Sequence, residues 1–163
     1  MPIRVVAGGP DEIEGALSAY VRGGAARRGI PPSKERIDEV RTSLVDGTNW
    51  FFVADDDGEP VGMAAAMPSR EDFGDGALVP GVCYLDLIFV VPDRWGDGIG
   101  ALLLDTVLAD ARGRGFSRIH LLTHDDNERA HALYASRAFT KTGWTRMSRD
   151  PVNGTVSEWA RDL

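Results

Sequence analysis

Apolar positions along this chain switch repeatedly between helical and strand spacing. Ile3–Ala7 reads as a short first strand. Ile13, Ala16, Leu17, Tyr20 and Val21 recur at helical spacing and predict a first helix. Ser33, following Pro31 and Pro32, is placed to cap a second helix whose apolar face is Ile37, Val40, Leu44 and Val45. Trp50–Ala54 predicts a strand, Asp57-Gly58 a turn, and Val61–Met67 the returning strand of a hairpin. Pro68–Gly81 carries two prolines with Gly74 and Gly76 among acidic residues, and reads as a loop.

The second half continues the alternation. Val82–Val91 is a long, mostly apolar strand interrupted by Asp86. Ile99, Leu103, Val107 and Ala111 repeat every fourth residue, with Leu104 and Leu108 beside them, and predict a strong helix. Gly113 and Gly115 end it. Ser117–Thr123 is the next strand, and the intervening helix requires it to pair with Val82–Val91 in parallel through a right-handed crossover. Asp125, Asp126 and Asn127 cap a helix reaching Ala138, with Asp125 and Glu128 as a capping box. Phe139–Met147 and Thr155–Arg161 close as a hairpin around Asn153-Gly154. The expected architecture is α/β: a mixed sheet with helices on both faces.

Composition narrows the class. With 163 residues and 43% hydrophobic content, residues 1–163 suit a single domain with a full core. No stretch approaches a membrane span, and Met1-Pro2-Ile3-Arg4 does not open a signal peptide. A lone Cys83 excludes an intrachain disulfide and points to the cytoplasm. A net charge of -7 argues against nucleic acid as partner and suits a cationic substrate.

The densest chemistry lies at Val90-Val91-Pro92-Asp93-Arg94-Trp95-Gly96-Asp97-Gly98-Ile99-Gly100-Ala101. Strand, glycine-rich turn and helix start follow one another there. The first amides of a helix lack intrahelical partners, the helix dipole adds positive charge, and glycines let the backbone approach a phosphate closely. The turn reads as a pyrophosphate cradle.

Two separated motifs, this turn and Asn127-Glu128-Arg129-Ala130-His131-Ala132-Leu133-Tyr134, make the whole chain resemble the GNAT superfamily of acetyl-CoA-dependent N-acetyltransferases. The resemblance implies a mostly antiparallel sheet of about seven strands with one central parallel pair and about four flanking helices. It implies acetyl-CoA as cofactor. Trp95, Gly96, Asp97, Gly98, Ile99, Gly100 and Ala101 would hold the pyrophosphate. Ile88, Phe89 and Val90 would pair with the pantetheine amides as a strand does with an added peptide, and an amide near Phe89 or Val90 would stabilise the developing oxyanion. Asn127 would contact the pantetheine arm. Tyr134 would give a proton to the leaving thiolate. Transfer would be direct, from acetyl-CoA to a primary amine of a small molecule or peptide, within a ternary complex. A homodimer would be common company for such a chain.

A base for the amine is less sharply marked. Asp86 leads, because a carboxylate within an apolar strand must be paired or face a cleft. His120 and His124 rank behind it. No metal is expected: Asp55-Asp56-Asp57 reads as a solvated turn, and Cys83 as a small core residue. Trp95 and Asp97 stand where relatives carry Arg or Gln and a basic residue. They leave a catalytically silent CoA-binding module as the alternative to an enzyme. Gly96-x-Gly98-x-x-Ala101 also fits a dinucleotide fingerprint, yet too little chain follows for a second nucleotide half.

Overall fold

A computed structural model describes residues 2–148 and 154–163. Its strands are β1 (Arg4–Ala7), β2 (Trp50–Asp56), β3 (Glu59–Arg70), β4 (Leu78–Val90), β5 (Arg118–His124), β6 (Thr140–Met147) and β7 (Thr155–Asp162). Its helices are α1 (Ile13–Arg28), α2 (Lys34–Val45), α3 (Ile99–Gly113) and α4 (Glu128–Ser136). The seven strands form one mixed sheet in the order β1-β2-β3-β4-β5-β7-β6. β4 and β5 are the parallel pair, with Val82 opposite Arg118 and Leu85 opposite Leu121. Asp86–Val90 lie beyond the end of that ladder.

β3 and β4 are longer than their apolar runs. Both Pro68 and Pro80 sit inside strands, so the expected loop from Pro68 to Gly81 shrinks to residues 71–77. Proline weakens the strand signal because it lacks a donor, although its fixed φ is compatible with extended backbone. Phe73 and Asp72 take left-handed φ values of 53° and 56° in the remaining turn.

The chain divides into two compact units, one of Met1–Met67 with Leu87–Val107 and one of Pro68–Asp86 with Leu108–Leu163. In the first, Ala16, Leu17 and Tyr20 of α1 are buried, as are Phe51–Ala54 of β2 and Met63–Ala66 of β3. Gly62 sits in a tight space: a Cβ there would lie 3.0 Å from Leu103 Cδ1, and 3.1 Å from both Ile99 Cγ2 and the Phe89 carbonyl. Ser33 caps α2, its hydroxyl accepting from the Arg36 amide at 3.1 Å. Val40 and Leu44 are buried, whereas Val45 is 65% exposed; α2 buries a narrower stripe than its pattern predicts.

In the second unit, Cys83 and Leu85 of β4 are buried, together with Ile119 and Leu121 of β5 and Trp159 of β7. α4 starts one residue after Asn127, whose Oδ1 accepts from the Ala130 amide at 3.3 Å. The expected capping box therefore does not form. Asp125 instead accepts a hydrogen bond from the Ser157 hydroxyl at 2.5 Å. β6 and β7 pair antiparallel as expected. Of the turn residues assigned to their hairpin, Asn153 lies outside the described residues, and the Gly154 carbonyl accepts from the Ser148 amide at 2.9 Å.

Candidate active site

The glycine-rich turn belongs to the first unit. Pro92–Arg94 makes one 3-10 turn, after which Gly96 and Gly98 take φ values of 89° and 82° that other residues adopt at a cost. Nothing lies within 4 Å of a Cβ at either glycine, so conformation rather than crowding selects them and the space beside the backbone is open. The Trp95 amide donates to the Pro92 carbonyl at 3.2 Å and the Asp97 amide to the Arg94 carbonyl at 3.3 Å. Those two amides are engaged within the turn. The amides of Gly96, Gly98, Ile99, Gly100 and Ala101 make no hydrogen bond among the described residues. The Leu102 amide is the first to bond back, to the Gly98 carbonyl at 3.1 Å. A group of outward donors at the positive end of a 15-residue helix fits a pyrophosphate.

The two departures in this turn are both accommodated. Arg94 reaches Asp97 through Nε at 2.9 Å and Asp56 through a terminal nitrogen at 2.7 Å. Hydrogen bonds to Asp97 and then to Asp56 raise the guanidinium pKa further. Asp97 is thereby paired beside the cradle and its charge partly offset, and Arg94 is not itself a spare cation for phosphate. Trp95 is 37% exposed and turns its indole back, donating to the Val90 carbonyl at 2.8 Å. Asp56, which the sequence places in a solvated turn, is the anchor that positions Arg94.

Tyr134 lies in the second unit on α4. It is 5% exposed and packs against Phe139 and Trp159, with ring centroids 5.7 and 6.4 Å away. Burial pushes its phenol well above the usual tyrosine range, which keeps the proton on oxygen. Asn127 opens the same helix. Asp86 is half-buried and shares its face of β4 with half-buried Tyr84, while Cys83 and Leu85 point to the core. Burial drives the Cys83 thiol up to about 12, an inert core group as expected. Among the described residues no cluster of three or more His, Cys, Asp or Glu side chains could hold a metal ion.

A cleft of about 350 Å³ opens in the second unit beside β3, β5 and β7. Phe73 and Trp144 line it, their ring centroids 4.4 Å apart and their planes tilted by 42°. His120 lines it and bonds at both ring nitrogens, to Ser69 Oγ at 2.6 Å and to Glu158 at 2.8 Å. Thr142 donates to the other Glu158 oxygen at 2.6 Å. Sequence reasoning reached His120 but missed its partners, which lie 51 and 38 positions away. Reading Pro68–Gly81 as loop hid Ser69, which lies buried on β3.

Comparisons with known proteins agree on one family. A family model described as Acetyltransferase (GNAT) family matches residues 18–139. The chain is 32% identical over 136 residues to N-acetyltransferase family 8 member 7 of Mus musculus, covering 77% of this chain and 58% of that protein. It thus spans less than two thirds of that relative's length. The fold is similar to that of the ribosomal-protein-S18-alanine N-acetyltransferase of Escherichia coli, with a TM-score of 0.79, 19% identity, and 99% and 94% of the two chains covered. It is also similar to the PaiA N-acetyltransferase of Thermoplasma acidophilum, solved in complex with coenzyme A, with a TM-score of 0.73, 14% identity and full coverage, 100%, of both chains. The chain belongs to the acetyltransferase (GNAT) family.

Proposed function

We propose that residues 1–163 form one N-acetyltransferase domain that moves the acetyl group of acetyl-CoA directly to a primary amine of a small molecule or peptide. The observation that carries this reading is the turn before α3: outward amides at Gly96, Gly98, Ile99, Gly100 and Ala101, with Asp97 paired to Arg94. Acetyl-CoA supplies the activated acetyl group as a thioester. Trp95 and Asp97 belong to the cradle through the shape of the turn, their amides being engaged within it. Ile88, Phe89 and Val90, beyond the parallel ladder, offer backbone to the pantetheine amides, and an amide at Phe89 or Val90 offers a donor to the carbonyl oxygen. Asn127 holds the pantetheine arm. Tyr134 keeps its proton because it is buried, and gives it to the departing thiolate. Asp86, on the half-buried face of β4, draws the acceptor's ammonium and is the first candidate for its proton.

Such a reaction proceeds with amine and acetyl-CoA bound together, in the cytoplasm, and without an acyl-enzyme. Calorimetric titration with acetyl-CoA tests it first, with NAD and NADP as controls. Binding in the micromolar range, about -8 kcal/mol, followed by thiol release with a panel of primary amines, is the expected result. Binding without thiol release would favour the silent CoA-binding module, and no binding would overturn the cradle.

A further inference from the structure

Hydrogen-bonding directions at the end of β4 decide which of its amides faces outward. The Val91 amide donates to the Val61 carbonyl at 3.0 Å and so points at β3. The Phe89 carbonyl points the same way, lying 3.1 Å from where a Gly62 side chain would begin. No peptide bond among the described residues is cis, and a trans peptide sets its N–H opposite its C=O. The Val90 amide shares its peptide with the Phe89 carbonyl, so it points away from β3, in the stretch beyond the parallel ladder. An extended residue sends its own N–H and C=O to one side, which leaves the Phe89 amide facing β3. Of the two amides considered for the oxyanion, that of Val90 is the one turned outward.

The Val90 carbonyl shares that outward side, and Trp95 already holds it: the indole Nε1 donates to it at 2.8 Å. The same peptide is hemmed in from α1. A Cβ on Gly23 would lie 3.0 Å from both Phe89 Cβ and the Val90 carbonyl oxygen. Tyr20 meets the Phe89 ring edge-on, with centroids 5.1 Å apart. Glycine weakens a helix interior, and at position 23 it admits the β4 backbone. β3, α1 and the Trp95 indole thus confine one short stretch of backbone, all within the first unit.

We propose that Trp95 is a positioning residue for acetyl transfer: by holding the Val90 carbonyl it fixes the Val90 amide as the donor to the developing oxyanion. The assignment rests on the function proposed above. When the neutral amine bonds to the thioester carbon, the carbonyl electron pair moves onto oxygen, where the Val90 amide meets it. The pair returns as the carbon–sulfur bond breaks and leaves its own electrons on sulfur. The amine proton passes to Asp86, and the thiolate takes the Tyr134 hydroxyl proton. A donor to an oxyanion is effective because it is in place before the charge develops. A misplacement of about 1 Å costs about 100-fold in rate. In this step Trp95 acts through the Val90 backbone and not on the reacting atoms.

The test compares the wild type with Trp95→Phe and Trp95→His, using acetyl-CoA and primary amines such as 2-phenylethylamine. For each protein kcat and KM are measured, with acetyl-CoA affinity by calorimetry and the urea midpoint as controls. Trp95→Phe keeps an aromatic ring and deletes the N–H. Trp95→His restores a ring nitrogen at the same remove from Cβ as the indole nitrogen, and at about pH 8 it adds no charge. Trp95→Phe should lose about 10-fold in kcat while acetyl-CoA affinity and the urea midpoint hold, and Trp95→His should recover most of that loss. An unchanged kcat in Trp95→Phe, a loss of acetyl-CoA affinity that matches the loss of rate, or no recovery in Trp95→His overturns the assignment and leaves acetyl transfer intact. A wild type that binds no acetyl-CoA, or releases no thiol with any amine, overturns the transferase reading and the assignment with it.

Discussion

At the turn before α3 a single guanidinium answers two carboxylates, and the charge seen by a bound anion depends on it. With Arg94 in place, Asp97 contributes less repulsion than a lone carboxylate would. Arg94→Ala should weaken acetyl-CoA binding several-fold, with the loss shrinking as salt rises because the exposed charge is then screened. Asp97→Asn in the same background should restore most of the affinity, and titration at two ionic strengths reads both effects. Tyr134 is a different kind of residue, buried so that it holds its proton. Tyr134→Phe should lower kcat about 100-fold with little change in acetyl-CoA affinity; unchanged turnover would remove Tyr134 from the chemistry. Residue identity in both motifs was legible in the sequence. The Asp56 anchor was not, because an ion pair across 38 positions leaves no periodic trace.

Among the elements, the end of α4 carries a conformational cost. Ala138 has a left-handed φ of 64°, and the Phe139 amide reaches back to the Tyr134 carbonyl at 3.0 Å. Glycine usually occupies such a helix-end position, since a Cβ in that region costs roughly 1–2 kcal/mol. Ala138→Gly should therefore stabilise the protein by about 1 kcal/mol, the relief exceeding the added backbone entropy of the unfolded chain. Urea unfolding of the two proteins measures it. Among the described residues, the sequence placed all four α-helices and all seven strands, since periodicity reports which face of an element is buried. It failed at the ends of β3 and β4, where Pro68 and Pro80 read as breaks, and at the α4 cap, where three neighbouring polar residues competed and Asn127 took the position.

For the molecule as a whole, alkaline pH is the exposed flank. The Cys83 thiol rises from 9.0 to about 12 on folding, and Tyr134 shifts upward for the same reason, burial. As pH climbs past about 9, the unfolded chain sheds these protons while the folded chain retains them. Stability is thus level below that point and falls across the window from 9.0 to about 12. Urea midpoints measured from pH 8 upward should decline, and Cys83→Ala should flatten part of the decline. The same burial keeps Cys83 from thiol reagents in the native state, so thiol release can be followed with such reagents without interference from the protein. Long-range pairing was the least legible level: Ser69, His120 and Glu158 meet only because β3, β5 and β7 bring distant positions to one cleft.

The backward turn of Trp95 has a use of its own. Its indole nitrogen is tethered to the end of β4 at 2.8 Å while over a third of the residue, 37%, stays in solvent. That is a fluorophore fixed at the rim of the proposed cradle. A ligand seated on the turn would exchange water around the ring for adenosine phosphate, changing its emission without any added label. Trp95→Phe would leave the cradle amides in place and erase most of that signal, turning one side chain into the optical gauge of occupancy.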